Sequence, residues 1–151
     1  MHSSNTTSIL REVYLAEIDK CLKELEQYPS DASLWTLAPG TLNSGGNLIL
    51  HLAGNLLHFI GHTLGNSGYV RDREREFGAK DLSREQLRQE LAEAREQVDR
   101  VLNGLYDQQL DEPYPIREFK GGKTIGYVLQ VFLAHFSYHL GQLNYHRRIT
   151  T

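Results

Sequence analysis

An all-α, four-helix-bundle domain is predicted for this 151-residue, 17.3 kDa chain by three observations. Apolar residues recur at helical spacing in four long segments. The connectors between them are marked by proline, glycine and small polar residues. One segment carries a sustained heptad of leucine, valine and alanine, as in a helix packing lengthwise against others. The length suits one domain, residues 1–151, which buries roughly 70% of its unfolded surface without staples.

In the first helix Leu10, Tyr14, Ile18, Cys21 and Leu25 step by 4, 4, 3 and 4, and Pro29 lies beyond its end. Cys21 falls within this stripe and is expected as a small buried apolar residue. A loop from Ser30 to Gly46 follows, punctuated by Pro39-Gly40 and Gly45-Gly46. The second helix is expected from Ser44 to Leu64, before Gly65-Asn66. The run Arg71-Asp72-Arg73-Glu74-Arg75-Glu76 then reads as solvated surface, with Arg71 and Arg73 as an alternative grip for an anionic substrate. Ser83 and Gln86 form a capping box for the third helix. There Leu87, Leu91, Ala94, Val98, Val101 and Leu105 repeat by 4, 3, 4, 3 and 4. An irregular connector spans Asp111 to Lys123, with a short extended piece expected over Ile116 to Phe119. Its Gly122-Lys123-Thr124 imitates a phosphate-binding loop, but Arg117 stands where the first glycine belongs. The fourth helix is expected from Thr124 to Ile149, with Arg147 and Arg148 at its negative end. Short connectors make an antiparallel-type bundle the expected topology.

Composition removes several classes of function. Sixteen basic against nineteen acidic residues leave a net charge of −3, which favours no nucleic acid and no anionic membrane. The longest lipophilic stretch, Asn47 to Leu64, is interrupted by four polar residues, so no membrane span is expected. One cysteine forms neither an internal disulfide nor a thiolate cage, and no secretory leader is read. A cytoplasmic location is therefore expected. No Gly-x-Ser-x-Gly elbow occurs, and the carboxylates are expected on exposed helix faces without a Glu-x-x-His pair.

Seven histidines are the distinctive feature. On the second helix His51, Asn55, His58 and His62 step by 4, 3 and 4, and on the fourth His135, His139, Gln142 and His146 do the same. Each set forms a narrow strip bordered by apolar residues. A buried imidazole without a partner costs about 1–3 kcal/mol, so something must satisfy these nitrogens. Neutral imidazole is the commonest protein ligand for zinc, nickel, copper and iron. Not all six rings can share one ion, because His51 and His62 lie about 16 Å apart along a helix. Two arrangements are open: a three-histidine site, or a closed site built from the pairs His58/His62 and His135/His139.

The segments His51-Leu52-Ala53-Gly54-Asn55 and His135-Phe136-Ser137-Tyr138-His139-Leu140-Gly141-Gln142 make the chain resemble the DinB-like (damage-inducible) superfamily. Arg71-Asp72-Arg73 followed by Glu76-Phe77 is similar to an uncharacterised branch of it, related to bacillithiol transferases. The resemblance implies a four-helix bundle, a homodimer, and one divalent ion, nickel or zinc, at one end of the bundle. It assigns the ligands to His51, His135 and His139, with water completing the shell, and gives no metal role to His58, His62 or His146. Characterised relatives include a mycothiol-dependent isomerase, whose C-terminal domain is not expected here.

Three neutral imidazoles leave a divalent charge uncompensated and a coordination position open, as in catalytic sites. Such an ion generates hydroxide from water or presents a thiol as its thiolate. Asn55 and Gln142, one turn from ligand positions, are candidates to orient a ring or bind substrate, or else to satisfy a buried neighbour. Tyr138 and Tyr145 are expected in the core, at an interface or lining a pocket. The expected function is a divalent-metal-dependent transferase that brings a small-molecule thiol to an electrophile. A metal-dependent hydrolase and a non-catalytic metal or small-molecule binding bundle are the alternatives.

Overall fold

The computed structural model describes residues 5–116 and 121–151. Its long helices are α1 (Thr6–Gln27), α2 (Gly45–Leu56), α4 (Arg84–Gly104) and α5 (Ile125–Thr150), with a one-and-a-half-turn α3 (Arg73–Gly78) between α2 and α4. Past Leu56 the α2 axis continues as a π-helix over Leu57–His62. Short 3-10 turns occupy Ala32–Trp35 and Asp107–Asp111. The extended piece expected over Ile116 to Phe119, and Arg117 with it, falls mostly on residues outside those described.

The helix starts are chemically marked. The side chains of Asn5, Ser44, Ser83 and Thr124 each accept a hydrogen bond from a first-turn N–H of the helix that follows. At Ser44 and Ser83 the third residue, Asn47 or Gln86, returns the bond to the cap backbone. The apolar stripes then face inward. Tyr14, Ile18, Cys21 and Leu25 of α1 and Leu87, Leu91, Ala94 and Val98 of α4 are fully buried. Each large aliphatic side chain among them contributes about 1.5–3 kcal/mol. Burial also pushes the Cys21 thiol up, away from the thiolate range. Leu105, read as the last heptad position, caps α4 and is only half-buried; Leu102 takes the inward place.

The topology differs from a simple antiparallel bundle. Arg11–Asp99, Arg95–Asp19 and Arg88–Glu26 pairs run α1 against α4, whereas Glu17 meets Ser137 and Glu24 meets Arg147, so α1 and α5 are parallel. Gly61 packs on Gln97 and Gly65 on Val101, so α2 and α4 are parallel as well. The physical reason is the connector from Thr63 to Ser83, long enough to recross the bundle before α4 begins. Exposed ion pairs such as Arg11–Asp99 report this register and add only about 0–1 kcal/mol each. Among the described residues no helix is long and apolar enough to cross a membrane.

Candidate metal centre

The two polar strips meet where α2 and α5 pack antiparallel, a direction also shown by Phe59 stacking on Phe132. The ring centroids of His51, His135 and His139 lie 5.0, 5.0 and 4.5 Å apart. Nε2 of His51 is 3.1 Å from Nε2 of His135, and one donor nitrogen from each ring lies within 4.8 Å of the others. His51 is buried and the other two are half-buried. Counting from Gly45 and Ile125, these are the seventh residue of α2 and the eleventh and fifteenth of α5. The cluster therefore sits part-way along the bundle, not at one end as the resemblance implies.

Neighbouring side chains set the rings. His51 Nδ1 lies 3.1 Å from Glu76 Oε1, and His139 Nδ1 lies 2.7 Å from Gln142 Oε1. A carboxylate and an amide oxygen accept hydrogen bonds, which assigns N–H to each Nδ1 and the lone pair to each Nε2. Gln142 is thus the hydrogen-bond partner of the His139 ring. Burial pushes the His139 pKa down; the Gln142 bond opposes this and nearby His51 adds to it. The net direction favours the neutral imidazole a metal requires. Asn55 is buried one turn beyond His51, and its Oδ1 has no hydrogen-bond partner.

The charged run after α2 is solvated at Asp72, Arg73, Glu74 and Arg75, as expected, but not at Glu76. Residues Arg73–Gly78 form α3, and Glu76 on it is 2% exposed. Its carboxylate accepts two bonds from Arg71, Nε to Oε2 at 2.8 Å and Nη2 to Oε1 at 2.9 Å, as well as facing His51. Burial raises the Glu76 pKa, but the hydrogen bonds from His51 and Arg71 outweigh it and hold the carboxyl below its ordinary value. Asn47 fixes α3 from below, donating through Nδ2 to the carbonyls of Glu76 and Ala79. Sequence patterning missed Glu76 because charge runs usually stay in water. Its available signal was Gly54, a glycine inside an apolar helix, which marks a close approach. A Cβ there would lie 2.3 Å from Glu76 Oε2.

The remaining histidines separate from the trio. His58 and His62 stack on each other at 6.0 Å, and neither buried Nδ1 has a hydrogen-bond partner. Burial, followed by the charge of Arg71, lowers the His58 pKa. Among the described residues only the trio brings three potential ligands together, so the closed two-pair arrangement is not formed. The wide turn, seen in Thr63 N–H donating to the His58 carbonyl, breaks the strip's register after Asn55. His146 is a satisfied core residue, bonded to the Tyr28 hydroxyl and the Thr36 carbonyl, each at 2.7 Å. Tyr138 and Tyr145 are exposed on α5, outside the core.

Residues 6–150 match a family described as "Protein of unknown function (DUF1572)". The chain belongs to that family. It is also similar to the crystal structure of a conserved protein from Enterococcus faecalis, at 16% identity and a TM-score of 0.79, over 98% of each chain. That likeness shows a shared helical fold. No curated protein matches the chain. Neither description names a reaction, so the chemistry rests on the site.

The trio fits a divalent ion. A tetrahedral ion with bonds of about 2.0–2.1 Å holds its ligands roughly 3.4 Å apart, which falls between the 3.1 Å of the His51–His135 pair and the 4.8 Å that bounds the trio. The His51 imidazole is backed by a carboxylate, the usual support of a metal-bound histidine. The site also opens onto a cavity of about 460 Å³ between α2, α3 and α5, with Phe59, Phe77 and Phe132 in its walls.

Proposed function

We propose that the protein is a divalent-metal-dependent transferase of the DinB-like kind, in which His51, His135 and His139 hold one nickel or zinc ion. The convergence of these three rings beside an open cavity carries the reading. When bound, the ion supplies positive charge that lowers the pKa of a thiol from about 8.5 and presents it as thiolate. A thiol so activated would form its bond to an electrophilic carbon as the leaving group departed with its electron pair, the thiol proton passing to solvent. Gln142 holds the His139 ring, and Glu76 with Arg71 holds the His51 ring. Phe59, Phe77 and Phe132 give the cavity an apolar wall beside the trio.

One observation favours thiol transfer over hydrolysis. No carboxylate lines the cavity among the described residues, and Glu76 behind it is committed to His51 and Arg71, so a water at the ion has no side-chain base to help it. A thiol starts near a pKa of about 8.5 and ionises at the same ion more readily than water does.

Elemental mass spectrometry of protein from unsupplemented medium tests the proposal, run beside His135→Ala and His58→Ala. One equivalent of metal, lost in His135→Ala and kept in His58→Ala, is the expected result. Metal-dependent, joint consumption of a thiol and an alkylating electrophile is then expected. No metal in folded wild-type protein overturns the proposal.

A further inference from the structure

The cavity beside the trio carries more positive charge than the protein neutralises. Two arginines line it, and no carboxylate does. Arg71 is satisfied by both oxygens of Glu76. Arg73 forms no ion pair among the described residues, and its guanidinium lies over the Phe77 ring at 5.6 Å. Phe77 in turn packs on His51, 5.0 Å between ring centroids. Arg73 is exposed, and the Phe77 ring beneath it places its guanidinium within one small molecule's length of the trio. Asn55 also lines the cavity, and its amide oxygen is buried without a partner, which costs about 1–3 kcal/mol.

We infer that the cavity is a subsite for an anionic thiol: sulfur at the trio, a carboxylate on Arg73, and an apolar span against Phe59 and Phe77. The inference rests on the proposed function and names its substrate class. Charge balance supports it. A divalent ion and Arg73 together bring three positive charges with no carboxylate in the cavity lining, and a thiolate with one carboxylate offsets two of them. Guanidinium binds a carboxylate with two parallel bonds.

Cobalt(II) substituted at the trio gives a thiolate-to-metal absorption band that reads sulfur binding without any catalysis. The probes are mercaptopropionate, mercaptohexanoate and mercaptooctanoate, each titrated against the mercaptoalcohol of equal length. At one length the acid is expected to bind roughly tenfold tighter or better, the scale of a charge-assisted bond pair. In Arg73→Gln the acid should fall to the affinity of the alcohol while the alcohol is unchanged, and Arg73→Lys should restore part of the preference. The cobalt spectrum of each variant before thiol is added reports an intact centre. Equal affinity of acid and alcohol at every length, or a preference that survives in Arg73→Gln, overturns the subsite and leaves the thiol reading standing. Cobalt that binds but shows no thiolate band with any probe overturns the thiol reading and the subsite together. Protein that binds no cobalt at the trio overturns the metal centre beneath both.

Discussion

Glu76 occupies the space where a side chain on residue 54 would be: a Cβ built on Gly54 falls 2.3 Å from Glu76 Oε2 and 2.8 Å from its carboxyl carbon. The buried carboxylate reaches His51 only because α2 is bare at this point. Gly54→Ala is therefore expected to destabilise the protein by about 1–3 kcal/mol, as overpacking does, and to weaken metal binding with it. Gly141, an exposed helical glycine on α5 with nothing near its Cβ position, supplies the contrast. Gly141→Ala should stabilise by about 0.5–1 kcal/mol. Urea melts of the two variants check the opposite signs.

Glu76→Gln preserves shape while removing the charge that faces His51 and Arg71. Losing such a support of a ligand histidine typically costs about 10–100-fold in metal affinity. The stability difference between wild type and variant also depends on pH. Because the folded-state pKa of Glu76 is held below its ordinary 4.5, its contribution is fully present above that value. It is lost as pH falls through the lower, folded value. Melts across the acid range should show the two proteins converging below pH 4.5; a gap that widens there contradicts the assignment.

Metal should stabilise the fold through the trio alone. At free ion one hundred times Kd the expected gain is about 2.7 kcal/mol. Thermal unfolding with zinc or nickel against chelator checks this. The gain should vanish in His51→Ala and His139→Ala and persist in His62→Ala, whose ring lies outside the cluster.

Tyr28→Phe removes the hydroxyl that bonds His146 Nδ1. The imidazole is then left with its Thr36 bond and an unsatisfied nitrogen in the core. A loss of about 1–3 kcal/mol is expected, with metal content unchanged. This variant tests the division of the fourth-helix strip into ligands and a purely structural histidine.

Much of the architecture was legible locally. The capped starts at Ser44, Ser83 and Thr124, the stripe from Leu10 to Leu25, and the heptad of α4 all follow from helical geometry within a few residues. The spacing of His135 and His139 likewise placed two rings on one side of a helix. The π-turn was not legible, because Leu57–His62 carries the same strip spacing that an α-helix would.

Sequence by itself determined four long amphipathic helices, the Ser83 capping box, the burial of Cys21 and the two polar strips, since each depends on residues three or four apart. Tertiary structure decided which strips meet, and that α2 runs parallel to α4 after a connector that recrosses the bundle. It also decided that His146 bonds Tyr28, 118 residues away in sequence. Glu76 is the plainest case. Inside a run of alternating charges it reads as solvent-exposed, and only Arg71, His51 and the space beside Gly54 together compensate its burial. Those partners come from α2 and from the connector before α3, so no local pattern encodes the pairing.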